Sequence, residues 1–219
     1  MKYTYCEALM WRLLTPAMFR WLRTQRPEWD IAELRRASKR TYRRMVRRTP
    51  DIGGLSRNSL RICLSSGMVF LSVYEAAEGR MDEACFAGMV LAGMEAPIVK
   101  RSFRKKSLFT EEAQRKRAEN AARGNAQSDS ALNWKTEVIP GRDADECTII
   151  YHQCGICALG RQEKLLHLVP HMCVLDTLSV EWMGGVLYRT KTLAGGGDCC
   201  DFYMCKKGSK WDAERGGTA

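Results

Sequence analysis

"VLYRTKTLAGGGDCCDFYMC", residues 186–205, decides the fold. Two runs of alternating apolar and polar residues flank a glycine triplet, the pattern of two strands joined by a turn. A strand sends successive side chains to opposite faces, so Cys199 and Cys200 cannot point the same way. Cys200 shares a face with Phe202 and Met204, the set a core would take. Cys199 goes with Asp201 and Tyr203. Upstream, "ALNWKTEVIP" (131–140) and "ECTIIYHQC" (146–154) repeat the arrangement around the turn-rich "GRDAD". Between the two hairpins, "EKLLHLVPHMCVLDTLSVEWMGG" (163–185) is apolar at helical spacing, with Pro170 in the first turn of its second part. Hairpin, helices, hairpin describes an antiparallel sheet with helices on one face, and hence the α+β class.

The N-terminal part reads as helical. Residues 5–48 form two helices broken at "TQRPEWD", where Pro27 stops the first and Asp30 caps the second. "TPDIGGLSRNS" is a loop by its proline and paired glycines. Helical patterns follow over 59–79, ending on Gly79, and over 81–103, with Asp82 near the start. The polar, alanine-rich stretch from Glu111 to Ser130 reads as a helix trailing into a linker. The expected organisation is a helical region at 1–130, a cysteine-rich α+β region carrying the site at 131–208, and a frayed tail at 209–219. The whole is expected to form one structural unit, with the helical part packed on the sheet.

The chain has 219 residues and a formal charge of +10. The excess lies on the N-terminal helices: Arg20 to Arg48 carries ten arginines and Lys39 against Glu28, Asp30 and Glu33. The cysteine-rich part is close to neutral. Such a run reads as a solvated helix face, with a share in steering an anionic substrate. No nucleic-acid motif accompanies it, so no nucleic-acid partner is expected. No uncharged apolar run approaches the roughly 18 residues a membrane span needs. The start, with Glu7 and no small-residue cleavage site, does not read as a secretory signal. A cytoplasmic location is therefore expected, with the ten cysteines as reduced thiols.

Seven of those cysteines and all three histidines lie between residues 147 and 205. On the helix around Cys173, Asp176 follows at i+3 and shares its face. Ile150, His152 and Cys154 share a strand parity. If Cys200 also faces inward, one cavity gathers Cys154, His152, Cys173, Asp176 and Cys200. Cys63 and Cys85, on apolar helices, read as core, and Cys6, Cys147 and Cys205 as structural. His167 and His171 read as surface or packing residues.

"CGICALGRQEKLLHLVPHMCVLD" followed by "RTKTLAGGGDCCDFY" resembles the L-2-amino-thiazoline-4-carboxylic acid hydrolase family. The resemblance runs through a cysteine that opens a helical segment (Cys154), then Cys173-x-x-Asp176. It continues from Arg189 through Thr192 to Gly197 and closes on Cys200, Asp201 and Phe202. Cys157 and Cys199 are additional to the pattern. The resemblance implies a cysteine-dependent hydrolase that opens a small cyclic C–N/C–S substrate such as a 2-aminothiazoline carboxylate. Such a cyclic amidine needs a thiolate nucleophile, an acid that protonates the ring and a base that activates water. Cys200 is the first choice of nucleophile, with Cys173 and Cys154 in reserve and Asp176 as the acid–base group. Arg189, Thr192 and His152 would bind an anionic small-molecule substrate, Arg189 gripping its carboxylate. No cofactor or metal is implied, and an oligomer is open.

The rival reading is non-catalytic: a zinc or iron–sulfur site built on Cys154, Cys157, Cys173, Cys199 and Cys200, or a small-molecule sensor. Adjacent Cys199 and Cys200 suit a metal poorly, since a strand separates their thiols. Cys154-x-x-Cys157 as a redox pair asks for a βαβ context that this order of elements lacks.

Overall fold

Asp30 breaks the first helical stretch as its position predicts. In the structure, a computed structural model that describes residues 1–216, its side chain accepts the N–H of Glu33 at 2.9 Å. It thereby separates α1 (Tyr5–Gln25) from α2 (Ile31–Arg48). α3 (Arg61–Ala76) follows the glycine loop, and Asp82 caps α4 (Glu83–Met94) through the N–H of Cys85. The stretch expected as one helix over 81–103 is two. Pro97 lacks the N–H that would continue α4 and instead opens α5 (Pro97–Arg104). α6 (Glu111–Asn125) starts from Thr110, whose hydroxyl accepts the N–H of Ala113.

Four strands fall within the two expected hairpins: β1 (Lys135–Pro140), β2 (Glu146–Gln153), β3 (Gly185–Tyr188) and β4 (Cys200–Lys206), with β1 starting only at Lys135 and β3 stopping at Tyr188, short of the run to Leu193 that the alternation suggests. They form one antiparallel sheet in the order β1-β2-β4-β3. Two helices, α7 (Gly155–Gln162) and α8 (Val169–Trp182), connect β2 to β3. The protein is α+β, with its sheet at the C-terminal end of a helical chain. Buried side chains of α1 to α4 share one contiguous core with Trp134, Cys157, Leu159, Leu168 and Met172. A smaller cluster of Cys147, Ile149, Cys200, Phe202 and Met204 lines the inner face of the sheet.

Residues 210–216, expected as part of a frayed tail, form a short helix, α9 (Lys210–Gly216). Trp211 donates to Asp143 at 2.8 Å and Asp212 accepts from the Tyr188 hydroxyl at 2.9 Å, which pins α9 over the outer face. The rest of that expected tail, 217–219, lies outside the described residues.

Two polar networks place the elements that carry the site. Glu7 is fully buried and pairs with the buried Arg61 at 2.9 Å. Arg61 also donates to Asp51 and to the Gly53 carbonyl, so the start of α3 is tied to α1 and to the "PDIGG" loop. Burial pushes the Glu7 carboxyl up, but hydrogen bonds from Arg61 and Thr4 outweigh it and hold it below its ordinary value. In the second network, Asn58 donates to Asn133 at 2.9 Å, and Gln153 donates to the carbonyls of Ser130 and Asn133. This holds the last residue of β2, and with it Cys154, against the 130–134 segment.

Candidate active site

Tyr151 pairs with Cys200 and Ile149 with Phe202 across β2 and β4. All four face the helices, and Tyr151, Cys200 and Phe202 form a floor. Above it, α3, α7 and α8 leave a cavity of about 230 Å³. Five thiols line it: Cys63, Cys154, Cys157, Cys173 and Cys200. Among its lining residues Asp176 is the one carboxylate and Arg189 the one cation, and the rest of the wall is mostly apolar, including Phe70, Phe103, Trp134 and Tyr151. A benzene-sized ring fills an apolar cavity of roughly 150 Å³, so this one suits a small ring with a substituent.

Cys154 is the N-cap of α7, with extended backbone (φ −119°, ψ 117°). The next residue, Gly155, is required by packing: a Cβ there would stand 2.3 Å from the Leu132 carbonyl oxygen and 2.7 Å from the Trp134 ring. This close approach sets the thiol at the helix start, facing the cavity. The neighbouring Cys157 side chain and the first-turn N–H groups of Cys157 and Ile156 favour its charge without closing a regular cap hydrogen bond. Together they overcome burial and hold Cys154 below the ordinary thiol value. Cys157, beside that favoured thiol and buried, is raised strongly.

The other thiols lack this help. Burial, then the nearby Asp176, pushes Cys173 up to about 12. Burial also raises Cys200, although its sulfur accepts the Leu193 N–H at 3.2 Å. Cys63 is likewise pushed up to about 12 by burial.

Asp176 leaves 44% of its side-chain surface accessible at the cavity it lines. The surrounding protein nonetheless pushes its pKa up to about 6, against the lowering effect of Arg189. Arg189 donates to the Cys173 carbonyl at 3.2 Å and approaches Asp176 at 3.4 Å, with its guanidinium over the Phe202 ring at 5.3 Å. The structure thus brings Cys154, Cys173, Asp176, Arg189 and Cys200 together.

Two expected site residues lie elsewhere. His152 faces the opposite side of the sheet and meets Glu137 at 3.0 Å. Its parity with Cys154 misleads because β2 ends at Gln153, and Cys154 reaches the cavity from the helix cap. The inward set of β2 is Cys147, Ile149 and Tyr151. Thr192 caps a 3-10 turn at Leu193–Gly195 by accepting the Gly195 N–H at 3.0 Å, and it is not part of the cavity wall. That turn, with Gly196 at φ 89°, carries the Leu193 N–H to Cys200.

The sequence reading also missed wall residues. Cys63, read as core, faces the cavity from the first turn of α3. Both the wall and the core positions of its helix carry apolar side chains, so periodicity could not tell one from the other. Cys157 carried a signal, its i+3 spacing from Cys154 at a strand-to-helix junction. Among the described residues no group of three His, Cys, Asp or Glu side chains is arranged to hold a metal ion.

A second hollow of about 720 Å³ adjoins the first through Leu60 and Tyr151. Lys105, Lys106, Lys116 and Arg117 line it against one carboxylate, Glu112. The Lys106 ammonium lies near enough to lower Cys63 slightly against its burial, and Arg117 acts likewise on Tyr151.

The fold and this cavity define an α+β protein with a cysteine–carboxylate site. The family model of L-2-amino-thiazoline-4-carboxylic acid hydrolase matches residues 64–204, well over half of the chain, and the chain belongs to that family. Its name is that of a hydrolase acting on an aminothiazoline carboxylate. The match covers α3 to β4 and so nearly every wall of the cavity. None of the curated proteins and none of the solved structures compared with the chain matches it. Among the described residues no helix is long and apolar enough to cross a membrane.

Proposed function

We propose that the protein hydrolyses a small anionic cyclic amidine of the 2-aminothiazoline carboxylate class, with Cys154 as nucleophile, Asp176 as acid and then base, and Arg189 as the carboxylate anchor. One observation carries this reading: the thiol favoured as thiolate, a carboxylate raised to about 6 and a single cation border one small apolar cavity. A carboxyl poised near neutrality can give a proton and take one back within a cycle.

Cys154 sulfur attacks the carbon between the ring sulfur and nitrogen, and the π electrons move to nitrogen, which takes the Asp176 proton. The carbon–sulfur ring bond then breaks. The ring sulfur leaves as a thiolate and the carbon remains on Cys154 as an isothiouronium. Asp176, now ionised, takes a proton from water as the oxygen adds to that carbon. Cys154 departs as a thiolate, and a proton from the new urea group ends on the product thiol. One water is consumed. The Cys157 S–H stabilises the Cys154 thiolate at the start and again as it leaves.

The test is turnover of 2-aminothiazoline-4-carboxylate, with intact-mass detection of the covalent intermediate. Wild-type protein is expected to accumulate an adduct mapped to Cys154, and Asp176→Asn to lengthen its life. An active protein whose adduct maps to Cys200 or Cys173 would sink the assignment.

A further inference from the structure

The two thiols at the start of α7 have a relationship that reaches beyond the hydrolytic cycle. Cys154 is the N-cap and Cys157 stands three residues on, the position over which an N-cap side chain folds back. Within a regular helix, Cβ atoms three residues apart are roughly 5–6 Å from each other, too far for a disulfide. Cys154 is not helical, and its extended backbone releases its side chain from that regular spacing. Both side chains line the same cavity at the start of that helix, so the two thiols face one space. The packing of Gly155 against Leu132 and Trp134 fixes that arrangement in the folded chain. The strand-to-helix junction supplies what a βαβ unit would otherwise provide.

We propose that Cys154 and Cys157 form a redox-active dithiol that exchanges with the disulfides of small thiols and closes into an intramolecular disulfide. Access decides the order of events. Cys154 is half-buried on the cavity wall, whereas Cys157 is 2% exposed, so the entering disulfide meets Cys154. The Cys154 thiolate attacks one sulfur of RSSR, which forms a mixed disulfide and releases RS⁻. Cys157 then attacks the Cys154 sulfur. The Cys154–Cys157 bond forms, the second RS⁻ leaves, and the Cys157 proton goes to a departing thiolate. Two protein sulfurs are oxidised and one RSSR is reduced to two small thiols.

Cys154 in the disulfide is no longer a nucleophile, so the closed form is inactive until a thiol reopens it. That consequence rests on the nucleophile assignment above; the disulfide does not. Cys157 is thus a resolving thiol, which keeps a small-thiol adduct from occupying the cavity.

The experiment treats purified protein with excess 2-hydroxyethyl disulfide, blocks remaining thiols by alkylation and maps peptides by mass spectrometry. Wild type is expected to carry the Cys154–Cys157 disulfide and no stable adduct. Cys157→Ser and Cys157→Ala should instead retain hydroxyethyl thiol on Cys154. Turnover of wild type should fall at least tenfold and return after dithiothreitol. A persistent Cys154 adduct in wild type, a link from Cys154 to Cys173 or Cys200, or no reaction at Cys154 would overturn the proposal. A Cys154–Cys157 disulfide with undiminished turnover would uphold the dithiol and remove Cys154 as nucleophile.

Discussion

Tyr151 lies directly opposite Cys200 in the β2–β4 ladder, and this pair puts Cys200 inside the cavity wall. The adjacent Cys199 precedes the strand and is not part of that wall. Cys199→Ser should therefore leave kcat/KM within about twofold. Cys200→Ser alters a wall atom held by the Leu193 N–H and should cost about tenfold through fit. Cys154→Ser removes the attacking group and should cost roughly a thousandfold or more. Steady-state kinetics of the three variants, with circular dichroism to show folding, ranks them.

The pH profile separates the two roles of Asp176. If kcat/KM needs a protonated Asp176 and an ionised Cys154, it rises through about pH 6, levels, and falls above the Cys154 value. A carboxylate needed only as base would give a rise with no alkaline fall. Asp176→Asn should lose the fall. Stability provides an independent check. The folded pKa is raised, so the native state holds the proton between the ordinary carboxylate value and about 6. Wild type should then lose stability relative to Asp176→Asn as pH rises through that window, and the difference should be constant below it. Thermal melts of both proteins between pH 3.5 and 8 are the measurement.

Much of this was legible in the sequence. The inward set of Cys200, Phe202 and Met204 follows from strand parity, and the shared face of Cys173 and Asp176 from helical spacing, because both periods are fixed by backbone geometry. His152 was misplaced because periodicity cannot say where a strand ends, and the one-residue change at Gln153 reverses the inference. Cys154 as the favoured thiolate was hidden for a different reason. Its state depends on a neighbouring S–H and two N–H groups whose directions exist only in the fold. Glu7 and Arg61 are 54 residues apart and meet only through the packing of α1 on α3.

That ion pair gives a stability prediction. Arg61→Ala leaves Glu7 buried without its partner and should cost about 3–5 kcal/mol in urea unfolding. The double change Glu7→Gln with Arg61→Met should cost much less than the sum of the single changes. The Glu7 pKa is held below its ordinary value, so the contribution of the pair is complete above that value and is lost as pH falls through the folded one. The Arg61→Ala deficit should accordingly narrow in acid. A deficit constant down to pH 3 would show that the pair contributes packing rather than charge.

The basic hollow beside the site yields the last prediction. Lys105, Lys106, Lys116 and Arg117 stand next to a cavity whose own cation is Arg189, so an anionic substrate approaches through a positive field. Such focusing raises association rates by roughly tenfold or more and weakens as salt screens it. Lys105→Glu combined with Lys116→Glu should therefore raise KM by about tenfold at low salt and leave kcat nearly unchanged. Lys106 is left intact because its ammonium packs on Phe103, a wall residue, and its loss would confuse field with fit. Wild-type kcat/KM should fall as sodium chloride increases, and the double variant should show a flat or rising dependence. Equal salt slopes in the two proteins would mean that the substrate enters without this field, and the anionic substrate class would then rest on Arg189 alone.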